Sequence, residues 1–145
     1  MSTTLEALQK TLTAEHAAVW VFATLGAQTS TSSEPALSAA LAASYTIHRS
    51  RRDQLSRAIR DLGVEPVAAD IGYELPNAAG TPEQVTAAAL LVESRCAATY
   101  ADLVGSTFGE QRNWAIDALT DSAVRELGFR GSPEIFPGLS EFADR

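Results

Sequence analysis

Cysteine occurs once in the 145 residues, at Cys96, histidine twice and lysine once. A lone cysteine excludes a disulfide framework and any multi-cysteine zinc or iron–sulfur centre, and it suits a reducing cytoplasm. No apolar run approaches the roughly 20 residues that a membrane span needs. The opening Met1-Ser2-Thr3-Thr4-Leu5-Glu6 has no basic segment leading into an apolar one. A soluble cytoplasmic protein is expected. Glycine-rich phosphate loops and nucleophile elbows are missing, which removes nucleotide-loop and serine-hydrolase chemistry. Positive charge is scarce: 18 acidic against 11 basic side chains leave a formal charge of −7. That balance repels nucleic acid and anionic lipid at long range, so neither is an expected partner.

What is present is a helical pattern. With 46% hydrophobic residues, the chain can bury one core as a single domain over 1–145. Thr3-Thr4-Leu5-Glu6 is a capping box that starts a helix over about 4–26, closed by Gly26 and the polar tract 28–33. Glu34-Pro35 starts a second helix, about 33–62, since proline is tolerated where no amide bond is needed. Leu62-Gly63 stops it. Thr81-Pro82-Glu83-Gln84 combines a threonine cap, an early proline and a glutamine three residues on, and opens a third helix over about 82–105. Thr107-Phe108-Gly109-Glu110 offers one more capping box for a fourth helix, about 108–127. A tail over 130–145, with Pro133, Phe136-Pro137-Gly138-Leu139 and Phe142, is expected to pack its apolar side chains onto the bundle. No strand-period alternation of useful length occurs.

Loop lengths select the topology. Short links within the first and second helix pairs make two antiparallel hairpins. The 63–80 connection reaches across a bundle about 35 Å long at roughly 3.3 Å per extended residue. An all-α four-helix bundle of two hairpins joined by a long crossover, with an irregular C-terminal tail, follows.

Polar residues interrupt the apolar stripes. On helix one, Leu5, Leu8, Leu12, Glu15, Val19 and Phe22 step by three and four, so Glu15 stands where leucine is expected. On helix two the walk Leu41, Tyr45, His48, Arg52, Leu55, Ile59, Leu62 places three polar groups in succession, a costly choice unless they are paired. On helix three Glu93 shares a face with Leu90, Ala97, Tyr100 and Val104, with Val92 and Cys96 beside it. Helix four is drawn through Phe108, Ala115, Ile116, Leu119, Ala123 and Leu127, which leaves Asp117 and Asp121 solvated and no inward histidine. Glu15, His48 and Glu93 each fall near the middle of their helices and should meet at one depth. Cys96 reads as a small buried hydrophobe. Arg49, Arg51, Arg57 and Arg60, interspersed with Asp53 and Asp61, read as a solvated face of helix two. Trp20 and Trp114 lie off the stripes and are candidates for tail packing or a subunit contact, which makes a homodimer or another protein the expected partner.

This constellation resembles the ferritin-like di-iron proteins, which place one Glu on the first helix, Glu-x-x-His on the second, one Glu on the third and Glu-x-x-His on the fourth. Glu15, His48 and Glu93 match three of those positions across residues 4–127. More narrowly, Ala14-Glu15-His16-Ala17-Ala18, Arg51-Arg52-Asp53, Tyr73-Glu74-Leu75-Pro76 and Phe136-Pro137-Gly138-Leu139 resemble the actinobacterial domains of unknown function called DUF4439. That resemblance implies a fold and a bacterial source but no activity. Tyr45 departs from the pattern at the second-helix carboxylate, Arg52 brings a fixed cation one turn beyond His48, and the fourth-helix pair is missing.

Three readings of the cluster follow. In the first, Arg52 bridges Glu15 and Glu93, with Tyr45, Tyr100 and His48 satisfying the remaining lone pairs and no metal or other cofactor. In the second, Glu15, His48 and Glu93 hold one iron, manganese or zinc ion. In the third, the same residues line a small-ligand pocket reached past the crossover. The first is preferred, and with it a non-catalytic binding or assembly module over an enzyme. The alternative is a metal-binding oxidase or metal-handling protein with a degenerate site.

Overall fold

The computed structural model describes residues 3–133 and 135–138. Within them the chain forms four helices and no strand: α1 (Thr4–Gln28), α2 (Pro35–Asp61), α3 (Pro82–Ser106) and α4 (Gly109–Arg130). The two capping boxes form as the sequence predicts. Thr3 accepts from the Glu6 amide while Glu6 reaches back to the Thr3 amide, and Thr81 and Gln84 do the same for α3. Gly63, at φ 75°, follows the Leu62 cap of α2. The fourth start differs from expectation: Phe108 is the N-cap of α4 with no side-chain hydrogen bond, because the Thr107 hydroxyl donates to the Leu103 carbonyl instead. The α4 stop differs too. The helix passes through Gly128 and ends at Gly131, whose φ of 84° and N–H hydrogen bond to Leu127 O make it the left-handed cap.

Side-chain clusters fix the directions of the helices. Leu8 and Leu12 of α1 share one cluster with Leu55 and Ile59 of α2, Leu103 of α3 and Ala115 of α4. The start of α1 therefore meets the ends of α2 and α3 and the start of α4, so each hairpin is antiparallel and the 62–81 connection must run the length of the bundle. Thr4 Oγ1 reinforces this end by donating to Ser106 O at 2.6 Å. The connection is pinned along α1: Gln9 spans Glu65 O and the Val67 amide at 2.9 and 2.8 Å, His16 Nε2 donates to Val67 O at 3.0 Å, and Tyr73 packs on Trp20 at 6.0 Å between ring centroids. The second cluster fills the other half, with Phe22 and Leu25 of α1, Leu41 of α2 and an alanine-rich run of α3. Each large apolar side chain buried there stabilises the fold by about 1.5–3 kcal/mol.

The inner faces of α2 and α4 differ from expectation. On α2 the buried walk is Leu41, Ser44, His48, Arg51, Leu55, Ile59. On α4 it is Ala115, Ala118, Ser122, Glu126, while Phe108, Ile116 and Leu127 of the expected face are exposed. These two helices lie apart at the backbone and are joined by long side chains, Arg51 to Asp121 and Arg125 to Ser44. In the tail, Gly138 settles against α3 at φ 81°, where a Cβ would fall 2.7 Å from Ala97 O. Leu139 and Phe142 lie outside the described residues.

Candidate functional site

Three helices each turn one ionisable residue from mid-length into the core: Glu15 from α1, His48 from α2 and Glu93 from α3, all fully buried. They meet as a linear clamp. His48 Nδ1 lies 2.6 Å from Glu15 Oε2, and Nε2 lies 2.8 Å from Glu93 Oε1. A ring that donates from both nitrogens to two carboxylates is an imidazolium. Burial is the largest single influence and disfavours that charge, but the Glu15 carboxylate and Cys96 together outweigh it and hold His48 well above its usual range.

Every remaining carboxylate oxygen of the clamp has a donor. Tyr100 O–H donates to Glu15 Oε1, and Ser122 Oγ donates to Glu93 Oε2 at 2.9 Å. The phenol in turn accepts from Arg51 Nη1 at 3.2 Å, while Arg51 Nη2 meets Asp121 Oδ2 at 2.6 Å and Arg125 Nε meets the same oxygen at 2.9 Å. Burial first, then Glu15, pushes the Tyr100 phenol well above its usual range. Burial pushes Asp121 upward too, yet Arg125 and Arg51 hold it below the usual carboxylate range. With the carboxylates ionised, three anions (Glu15, Glu93, Asp121) balance three cations (His48, Arg51, Arg125), and each buried charge is paired, which offsets the several kcal/mol per ion that desolvation costs.

Glu15, His48, Glu93 and Tyr100 therefore come together as the sequence predicts. Tyr45 and Arg52 do not. Tyr45 sits half-buried against the apolar cluster, and Arg52 turns outward to Asp53 at 2.8 Å. The bridge assigned to Arg52 is made by His48, and the cation one turn beyond it is Arg51, which leaves the solvated face expected for it. Asp121 is likewise ion-paired instead of simply solvated. The missed residues, Arg51, Asp121, Arg125 and Ser122, carry one usable signal: Leu41, Ser44, His48, Arg51 and Leu55 also step by three and four. The two tryptophans find partners within the chain, Trp20 on Tyr73 and Trp114 edge-on to Tyr100 at 6.1 Å.

These residues do not fit a di-iron centre. Both nitrogens of the single core histidine face carboxylates, a tyrosine replaces the second-helix carboxylate, and α4 supplies a serine hydroxyl at the depth of Glu93. A different donor set does converge. Glu15, His48 and Cys96 each offer an atom within 4.8 Å of the others, and all three are buried. Burial foremost, then Glu15, pushes the Cys96 thiol up to about 11, so it is no nucleophile.

A family model described as "Domain of unknown function (DUF4439)" matches residues 7–141. The crystal structure of a conserved hypothetical protein, rv2844, from Mycobacterium tuberculosis is similar at a TM-score of 0.78 and 26% identity, over 86% of this chain and 92% of that one. No curated protein matches the chain.

Proposed function

We propose that this chain, which belongs to the DUF4439 family, is a non-catalytic binding or assembly module: a ferritin-like bundle in which a protonated histidine takes the place of a metal centre. One observation carries the reading. Both nitrogens of His48 are engaged by carboxylates, at 2.6 and 2.8 Å, and the outer oxygens are capped by Tyr100 and Ser122. The cluster is thus complete as hydrogen-bond chemistry and presents no reactive atom to a substrate. The hollows beside it support the same view. One is lined by Leu8, Leu55 and Trp114 and another by Ala40, Ser44 and Phe129, and neither has Glu15 or His48 in its wall. The expected ligand is a protein, a second copy of this chain or another bacterial cytoplasmic protein, and not nucleic acid or a membrane. No helix among the described residues is long and apolar enough to cross a membrane.

The test is the metal content of tag-free protein purified without chelator, together with its melting in chelator. Sub-stoichiometric metal and an unchanged melting temperature support the module. Near-stoichiometric metal lost in His48→Ala overturns it. A second reading is metal handling at a degenerate site, expected from the sequence at Glu15, His48 and Glu93; the convergence of Glu15 and His48 with Cys96 favours metal handling, while Glu93 faces the far nitrogen of the imidazole.

A further inference from the structure

We propose that Glu15, His48 and Cys96 form a latent site for one thiophilic divalent cation of the zinc and cobalt class, with Glu93 holding the imidazole from its far side. The inference rests on the metal-handling reading and changes its ligand set: Cys96 enters the coordination shell and Glu93 leaves it.

The geometry gives each side chain a distinct task. The three donor atoms come from three different helices and already lie within 4.8 Å of one another. A tetrahedral zinc shell has ligand-to-ligand edges of about 3.4–3.7 Å, so the set must close by about 1 Å. Glu15 Oε2 and His48 Nδ1 are hydrogen-bonded at 2.6 Å and have only to part around the ion. On the opposite edge of the ring, Nε2 faces Glu93 at 2.8 Å, the carboxylate–histidine arrangement that fixes tautomer and orientation in zinc sites. Glu93 is itself held by Ser122, and the second oxygen of Glu15 by Tyr100. Both carboxylates thus arrive with their outer partners in place.

Charge and protons balance. One proton leaves His48 Nδ1 and one leaves Cys96 Sγ, while the cation brings two positive charges. The cluster keeps its net charge, which is what a fully buried site requires. Sulfur in the shell selects zinc or cobalt(II) over manganese, which prefers oxygen donors. Three protein ligands leave one tetrahedral position open, so the site is exchangeable and not a closed structural one.

Cobalt(II) titrated into the full chain at neutral pH tests the proposal. The expected result is tetrahedral visible bands with a thiolate-to-cobalt charge-transfer band. Cys96→Ser should remove that band and weaken binding more than about tenfold. Glu93→Gln should keep the band and weaken binding about 10–100-fold, as loss of an outer partner does. Cobalt bound without the thiolate band, unaffected by Cys96→Ser and abolished by Glu93→Gln, would overturn the proposal and leave the Glu15–His48–Glu93 reading standing. No cobalt bound by the wild-type chain would overturn both. Should a variant fail to fold, zinc-edge X-ray absorption of the wild-type chain with one equivalent of zinc decides: one sulfur neighbour is expected, and a shell of nitrogen and oxygen alone contradicts it.

Discussion

Phe22 lies flat against His48, with ring centroids 5.2 Å apart and planes within 7° of parallel. The face of a phenyl ring attracts a cation, so α1 stabilises the imidazolium from above while Glu15 and Glu93 stabilise it in plane. Phe22 also stacks on Phe129 of α4 at 6.3 Å, which links the charged centre to the far hairpin.

Replacing Phe22 by leucine should preserve most of the buried volume and lose the stack. The expected cost is about 1–2 kcal/mol in urea unfolding, against about 3–5 kcal/mol for Phe22→Ala. Equal losses in the two variants would show that the ring acts by volume alone.

Stability should fall as pH rises. His48 is held well above its usual range in the fold, whereas in the unfolded chain it titrates near 6.5. Its contribution is therefore fully present below about pH 6.5 and is lost as pH climbs through the raised folded value. Melting temperature followed from pH 6 to 8 should decline in the wild type and flatten in His48→Gln; above that range Cys96, raised to about 11, adds a decline of its own. A wild-type profile that rises from pH 6 to 8 would contradict the assignment.

Arg51 and its neighbour should behave oppositely. Arg51→Leu leaves Asp121 with Arg125 alone and removes the donor to the Tyr100 oxygen, and should cost about 1–2 kcal/mol, moderated because Asp121 is partly exposed. Arg52→Leu breaks only an exposed pair with Asp53 and should stay within about 0.5 kcal/mol. Paired urea titrations check both.

Gly138→Ala should loosen the tail without unfolding the bundle. At φ 81°, with Ala97 O 2.7 Å from the new Cβ, an alanine cannot hold this conformation. Limited proteolysis should cut the variant faster after Arg130, with α1–α3 protected as in the wild type.

How much of this was legible in the sequence depends on which signal a residue sends. Thr3, Gly63 and Thr81 mark helix ends through local hydrogen bonds and left-handed turns, and the helices begin and end within about three residues of those marks. Glu15 and Glu93 stand out because their neighbours three and four residues away are apolar. On α2 the signal divides: positions 44, 45, 51 and 52 are all polar, so hydropathy cannot choose between the walk through Ser44 and Arg51 and the walk through Tyr45 and Arg52. Only the partners on α3 and α4 decide it, Tyr100 and Asp121. On α4 the apolar residues Ile116 and Leu127 pointed to a face that the fold leaves outside. The inner face carries Ala115, Ala118, Ser122 and Glu126, because the small residues allow α4 to approach α3, Ser122 meets Glu93 and Glu126 pairs with Arg130 one turn on.

A protonated His48, held between Glu15 and Glu93, closes the core. Nitrogen NMR of the metal-free chain with labelled histidine tests this most directly at neutral pH. Both Nδ1 and Nε2 of His48 are expected to carry slowly exchanging protons. A neutral His48 ring with one unprotonated nitrogen at that pH would contradict it.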